Sequence, residues 1–260
     1  MTEKLKRSTV ERRKTILNLI DKNGQVYVHE LSEKFRVSEV TIRNDLEQLE
    51  AKNLLIRARG GAMKREMNVA IDYLITEKHK INLAEKARIG KEAARMISES
   101  ETIILDSGST TLEIAKNLGS VKALTVITNA INIVNQLLTF PSVNIIVPGG
   151  SIRKNSHSLV GPIAERSFRN FSVDKAFLGV DGFDPKTGAF TPNIEEAYLN
   201  QIMIEISKEV ILVADSSKFF RKSLAFICPV NKINTVITDN RITDYDLKTL
   251  QDSGVRVIVV

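Results

Sequence analysis

The sequence predicts an α/β protein in two parts: an N-terminal winged helix-turn-helix, then a doubly wound, mostly parallel α/β domain. Three observations carry this prediction. Residues 12–46 hold short apolar-periodic segments separated by a turn, the last opening on Ser38-Glu39-Val40-Thr41-Ile42-Arg43-Asn44. From about residue 85, nearly continuous apolar runs alternate with helical stretches, the pattern of a parallel sheet covered on both faces. Charge is segregated: residues 1–65 contain 15 Lys+Arg against 9 Asp+Glu, and residues 66–260 contain 22 of each. A basic module joined to an electrically neutral body implies a polyanion partner for the module and a different partner for the body.

The 260 residues suffice for one small and one medium domain. Hydrophobic content is 43%, and no apolar run reaches transmembrane length, so no membrane partner is expected. The opening Met1-Thr2-Glu3-Lys4-Leu5-Lys6-Arg7 has no apolar stretch behind it and does not read as a signal peptide. The single cysteine, Cys228, has no internal disulfide partner, and a cytoplasmic location is expected. Beside Pro229 it reads as a small buried apolar residue rather than a nucleophile.

Within the module, Arg12 to Ile20 is predicted helical, with Ile16, Leu17, Leu19 and Ile20 on its apolar face. Asn23-Gly24 ends it, Gln25 to Val28 is β-prone, and His29 to Phe35 is a second helix followed by the turn Arg36-Val37. Ser38 caps a third helix, on which Ile42, Leu46 and Leu49 recur at i, i+4, i+7 and face inward. That leaves Glu39, Val40, Arg43 and Asn44 outward at the N-terminal end, the end that enters a major groove in this motif. Arg43 suits guanine and Asn44 adenine, and Thr41 can reach a phosphate or a thymine methyl. Asp45, a carboxylate that would repel DNA, is expected to pair inside the module. Leu54 to Ala62 alternates apolar and basic residues into Gly60-Gly61, the pattern of a hairpin wing; Arg57 and Arg59 share one side and are expected to grip the phosphate backbone. The DNA-reading set is therefore Ser38, Glu39, Val40, Thr41, Arg43, Asn44, Arg57 and Arg59, and double-stranded operator DNA is the expected partner.

In the body, Lys86 to Ser98 is an amphipathic helix, and strands are expected at 102–105, 124–128, 144–147, 175–180, 209–214, 235–238 and 255–260. Polar clusters follow five of them: Asp106-Ser107-Gly108-Ser109-Thr110-Thr111, Thr128-Asn129, Gly149-Gly150, Gly179-Val180-Asp181-Gly182, and Asp215-Ser216-Ser217-Lys218. Strand carboxyl ends are where open α/β sheets bind ligands. The first cluster has the makings of an anion cradle, with a glycine for close backbone approach, hydroxyls, and the start of a helix; Lys218 adds a cation. No Walker lysine follows Gly108, which argues against a nucleoside triphosphate. Asp106 would repel a phosphate and is better suited to accept from sugar hydroxyls or loop backbone. The expected ligand is a small phosphorylated polyol or sugar.

The stretches Arg12-x-x-x-Ile16-x-x-x-Ile20, Ser38-x-x-Thr41-Ile42-Arg43-Asn44-Asp45-Leu46 and Arg59-Gly60-Gly61-Ala62 resemble the signature of the DeoR family of bacterial sugar-operon repressors. The strand-end clusters named above, with Gly161-Pro162 and Asp174-Lys175-Ala176-Phe177, resemble that family's sensor domain. The resemblance implies a fold similar to sugar-phosphate isomerases, and a repressor of a carbohydrate operon released by a phosphorylated sugar. Asn193 and Glu196-Ala197-Tyr198-Leu199-Asn200 look most like regulators of N-acetylgalactosamine or hexitol use, while Pro192-Asn193-Ile194 departs from the expected polar stretch. The effector-binding set is Asp106, Ser107, Gly108, Ser109, Thr110, Thr111, Thr128, Asn129, Gly149, Gly150, Asp181, Glu196 and Lys218.

The implied organisation is a DNA-binding domain at 1–62, a connector at 63–84 and a sensing domain at 85–260, working as a homo-oligomer, dimer or tetramer. The alternative is a sugar-phosphate isomerase or amino-sugar-phosphate deaminase, whose acid–base groups Asp106, Asp181, Glu195, Glu196 or Lys218 could supply. Of the three histidines, His29 lies in the module, His79 in the connector and His157 in a Ser-His-Ser loop. An enzyme would have no use for a basic winged helix, so no catalytic residue is assigned. No Cys/His spacing suits a metal, and no cofactor is expected.

Overall fold

The computed structural model of the chain describes residues 9–51, 54–58, 60–64, 72–219 and 221–260. The chain divides into two compact units, residues 1–68 and 69–260.

The first unit opens with helix α1 (Thr9–Asn23), stopped at Gly24, whose φ of +79° is the left-handed conformation that glycine adopts without strain. Strand β1 (Gln25–Tyr27) leads into α2 (Val28–Phe35). The turn to α3 (Glu39–Ala51) puts Arg36 at φ +52°, a left-handed cap that closes α2 by donating its N–H to the Glu33 carbonyl. Ser38 then caps α3, its Oγ accepting from the Thr41 N–H at 3.2 Å. Ile16 and Ile20 of α1, Leu31 of α2, and Ile42, Leu46 and Leu49 of α3 interlock in one buried core. Strands β2 (Leu55–Ala58) and β3 (Gly61–Lys64) form the wing, with β3 central in the order β1-β3-β2. Gly61 is required by close approach, since a Cβ there would stand 2.1 Å from the Val26 carbonyl oxygen.

The second unit begins with α4 (Ile75–Lys80) and α5 (Leu83–Arg95). There follow β4 (Thr102–Leu105), α6 (Ser109–Ala115), β5 (Leu124–Thr128), α7 (Ile131–Leu137) and β6 (Val143–Ile146). The hairpin β7 (Ser151–Arg153)–β8 (Ser158–Val160) precedes α8 (Pro162–Phe168) and β9 (Val173–Leu178). Strands β10 (Gly182–Asp184) and β11 (Gly188–Thr191), helix α9 (Ile194–Glu205), β12 (Ser207–Val213), β13 (Ala225–Cys228), β14 (Thr235–Thr238), α10 (Asp244–Asp252) and β15 (Arg256–Val259) complete it.

Seven of the described strands form one sheet, ordered β15-β14-β12-β9-β4-β5-β6 and parallel at every pairing. These are the seven apolar runs of the sequence. Alternation splits each strand between two faces: Ile103 and Leu105 pack with α5, α6 and α7, while Ile104 packs with Phe168 of α8 and Leu199, Ile202 and Met203 of α9. Burial on both faces is why the strands are apolar throughout. A small antiparallel sheet, β10-β11-β13, is built around Phe183, Ala189, Ile227 and Cys228.

The order has a functional consequence. Strands added after β4 run outward one way through β5 and β6, then the chain returns and builds the other way from β9. The junction of β4 and β9 is therefore the topological switch point, where diverging connections leave a crevice at the strand carboxyl ends. The stretch 63–84, read from sequence as a connector, supplies β3 residues to the first unit and α4 to the second. Apolar burial accounts for both, because Met63 and Ile75 are each 6% exposed.

Candidate functional site

Each unit carries one candidate site. In the first, α3 buries Ile42, Asp45, Leu46 and Leu49 and turns Val40, Arg43 and Asn44 outward, with Ser38 exposed and Glu39 and Thr41 half-buried. Val40 is 61% exposed, so its β-branched apolar side chain takes no part in the core and suits contact with a thymine methyl. Arg43 Nη2 rests on Glu39 Oε2 at 2.5 Å, an exposed i,i+4 pair worth only about 0.3–0.5 kcal/mol and readily exchanged for a base or phosphate. Arg57 is exposed on β2, its backbone N–H held by Glu50 Oε1 at 2.9 Å. Arg59 lies outside the described residues. Asp45 is 2% exposed and takes Arg12 Nε at 2.5 Å and Arg13 Nε at 2.8 Å, so the carboxylate that looked out of place beside DNA is an internal tie between α3 and α1.

In the second unit a cleft opens at the β4/β9 switch point, with about 520 Å³ of empty space when the open solvent at its mouth is included. Of the residues singled out from sequence, Asp106, Ser107, Gly108, Ser109, Thr110, Asp181, Glu196 and Lys218 line it. Five others do not. Thr111 is buried beneath the loop, its Oγ1 donating to the Asp106 and Gly108 carbonyls at 2.7 and 3.0 Å. Thr128 Oγ1 accepts from the Ala130 N–H, and Asn129 Nδ2 donates to the Leu159 carbonyl, so this pair ties β5 to β8. Gly149 and Gly150 take φ values of +83° and +126° in the turn before β7, where a Cβ on Gly150 would meet the Val160 carbonyl at 2.8 Å. The helix after the first cluster, α6, is only seven residues long and offers little dipole, leaving hydroxyls and loop N–H groups as the neutral donors.

Charge in the cleft is divided between two ends. At one end Lys78 Nζ lies 2.8 Å and Lys218 Nζ 3.8 Å from Asp181 Oδ1. Burial would raise the Asp181 pKa, but Lys78 and Lys218 outweigh it and hold the carboxyl below its ordinary value. Burial pulls the Lys218 ammonium down, opposed by Asp181 and Asp215. At the other end Asp106 is 4% exposed, and burial followed by repulsion from Glu196 pushes it up to about 7. Its oxygens accept from the Ser107 N–H at 2.6 Å and the Gly179 N–H at 3.3 Å, so it orders the loop as expected of it. Glu196 accepts from Arg153 Nη1 at 2.9 Å and from Ser158 and Thr191 hydroxyls at 3.3 Å, and Asn193 caps its helix. Arg153 also pairs with Asp72.

Sequence reasoning missed Ile75, Lys78, Ser156 and Thr191, which line the cleft, and the Asp72–Arg153 pair beside it. Lys78-His79-Lys80 reads as a solvated charge run; only tertiary folding carries Lys78 over the strand ends.

A profile of the DeoR-like helix-turn-helix domain matches residues 12–66, and one of the DeoR C-terminal sensor domain matches residues 81–240. An Escherichia coli O157:H7 protein described as an aga operon transcriptional repressor is 39% identical, over 99% of this chain and 96% of its own. The chain belongs to the DeoR family. The transcriptional repressor AccR of Agrobacterium fabrum is 36% identical over 90% of each chain, and the lactose phosphotransferase system repressor of Staphylococcus epidermidis is 32% identical over 94% of this chain and 96% of its own. A solved D-ribose-5-phosphate isomerase in complex with phospho-erythronic acid overlays on 52% of each chain at a TM-score of 0.39 and 18% identity, too loose an overlap to speak for function. This DeoR-family chain is a DNA-binding transcriptional repressor, not an isomerase or deaminase: it carries the family's helix-turn-helix domain, and relatives named as transcriptional repressors match it over 90% or more of their length. Among the described residues no helix is long and apolar enough to cross a membrane.

Proposed function

We propose that this DeoR-family protein represses a carbohydrate-utilisation operon, and that a phosphorylated sugar or amino sugar bound in the second unit's cleft releases it from operator DNA. The observation that carries the reading is the cleft itself. Two lysines stand at one end of a crevice at the sheet's switch point, and hydroxyls, Asn200 and carboxylates line the rest. Cations suit a phosphoryl group, and acceptors fixed by neighbouring donors suit sugar hydroxyls. The names of the relatives, an aga operon repressor and a lactose phosphotransferase system repressor, point the same way.

On the DNA side, Arg43, Asn44, Thr41 and Val40 read base edges from the N-terminal end of α3, while Ser38 and Glu39 set its entry. Arg57 and Arg59 on the wing neutralise phosphates, so affinity falls steeply with salt. A homo-oligomer, dimer or tetramer, in the cytoplasm presents paired modules to a repeated or palindromic operator.

Gel-shift titration against promoter DNA of carbohydrate operons tests the first half. Retardation at low salt is expected, with Arg43→Ala losing about 1–3 kcal/mol of sequence discrimination. A thermal-shift screen of phosphorylated hexoses, pentoses and amino sugars tests the second, with stabilisation of about 2.7 kcal/mol at a hundredfold excess over Kd. No retarded promoter, or no stabilising sugar phosphate, overturns the corresponding half.

A further inference from the structure

We propose that a second copy of this chain docks on an apolar face of the second unit, formed by the start of α8, the outer side of α9 and the outer face of the small β10-β11-β13 sheet. The inference rests on the homo-oligomer reading above and names the surface through which the copies meet.

The face follows from periodicity along two elements. Helix α9 buries Ala197, Leu199, Ile202 and Met203, which leaves Ile194 and Tyr198, one turn apart, on its outer side. On β13, Ala225 and Ile227 join the core, so Leu224 and Phe226 stand exposed at the alternate positions. The two elements are stitched together. Gln201 Nε2, one turn after Tyr198, donates to the Phe226 carbonyl at 3.3 Å, and the Phe226 ring meets Phe190 of β11 edge-on with centroids 5.4 Å apart. Helix α9 also packs against α8, and a Cβ on Gly161, the residue before α8, would stand 3.8 Å from Glu195 Oε1. Ile163, in the first turn of α8, extends the face. The side chains of Ile163, Ile194, Tyr198, Leu224 and Phe226 belong to residues between 45% and 65% exposed.

Area, charge and the reading helix assign the face to a second copy. At the ordinary size of such side chains, their exposed parts come to roughly 500 Å². A standard protein interface buries about 800 Å² per partner, of which roughly 450 Å² is apolar. The face therefore supplies the apolar share of one side of such a contact and, being its own counterpart across a twofold axis, of both sides. Its rim is balanced: Glu195, Glu205 and Asp184 stand against Arg166, Arg169 and Lys222, with Arg169–Glu205 paired at 3.0 Å and Lys222–Asp184 at 3.9 Å. A balanced rim gives each sign a partner on an identical face, whereas DNA or an acidic peptide would need an excess of positive charge. Among the described residues α3 is the one reading helix, so a repeated operator needs a second chain. The face also bears on control. Glu196 and Asn200 line the cleft from the inner side of α9, so cleft and face lie on opposite sides of one 12-residue helix.

Sedimentation velocity on the full-length chain, over a wide range of concentration, is the test. The natural chain is expected to associate reversibly. Tyr198→Glu, an exposed change to a good helix former, is expected to raise the dissociation constant at least about tenfold while the far-ultraviolet circular dichroism stays unchanged. Cross-linking reads the same surface without asking a variant to lose anything. With a short bis-maleimide, Tyr198→Cys should join two chains, whereas Leu138→Cys, exposed at the end of α7 on the other side of the sheet, should not. The natural Cys228 does not compete, because it is 4% exposed and burial pushes its thiol up to about 12. If the natural chain associates while Tyr198→Glu associates as tightly, or Tyr198→Cys links chains no better than Leu138→Cys, the face serves some other partner or none. The proposal is then refuted and the homo-oligomer reading stands. If the natural chain stays single at every concentration, both fall.

Discussion

Replacing Asp45 by alanine should strongly destabilise the DNA-reading unit without touching any residue that reads DNA. The carboxylate is 2% exposed and takes Arg12 Nε at 2.5 Å and Arg13 Nε at 2.8 Å, joining α3 to α1 across the core formed by Ile16, Ile42 and Leu46. Its removal strands the Arg12 guanidinium, whose side chain is 10% exposed, at a cost of about 3–5 kcal/mol. The Arg13 pair, with that side chain 27% exposed, adds at most about 1 kcal/mol. A unit of roughly 60 residues has a total stability of about 3–9 kcal/mol. The loss therefore takes about half of it or more. Hydrogen exchange on the full-length chain reads this locally: protection in α1 and α3 should fall by roughly a thousandfold, since about 1.4 kcal/mol is a factor of ten. Protection in β4 and β9 should stay within experimental scatter. Asp45→Leu with Arg12→Met, which swaps the buried pair for apolar groups of similar size, should recover most of the protection. A loss below about tenfold in Asp45→Ala would refute the assignment of a buried, stability-bearing pair.

Three further outcomes follow from the second unit. Asp106 is raised by burial and by Glu196 to about 7, whereas the unfolded chain ionises it near about 4. Between those values the native state holds more protons than the unfolded one, so stability falls as pH rises through the window; Asp106→Asn should remove that fall, by at most about 4 kcal/mol between pH 4.5 and 8 in paired urea titrations. Lys86 is lowered by burial to about 8; from there to its unfolded value the native state holds fewer protons, stability should climb with pH, and a Lys86→Met variant whose urea midpoint climbs equally would disprove it. Gly90 lets α5 lie against α6, because a Cβ there would stand 2.5 Å from the Glu113 carbonyl carbon and Cβ; Gly90→Ala should cost about 1–3 kcal/mol in thermal unfolding, and an unchanged midpoint would contradict the packing.

The winged helix-turn-helix was legible because local periodicity fixes it: Ile42, Leu46 and Leu49 face inward, so Val40, Arg43 and Asn44 face out. The seven parallel strands were legible because burial on both faces demands unbroken apolar runs. The strand-end clusters announced their edge of the sheet for the same reason, since the chain turns polar where it leaves the core. Strand order was not in the pattern. It decides that the loops after β4 and β9 share a crevice while Thr128-Asn129 and Gly149-Gly150, one and two strands further out, brace the β7–β8 hairpin and its turn.

By itself, then, the sequence determined which residues are apolar, where the chain bends, and that a positively charged reading helix precedes a neutral sheet domain, because these follow from neighbours along the chain. Tertiary structure alone decided that Lys78 meets Asp181, more than a hundred residues later, and that Arg153 joins Asp72 to Glu196. Those pairings depend on which strand lies beside which, and no spacing along a single chain encodes the distance between two charges that folding brings together.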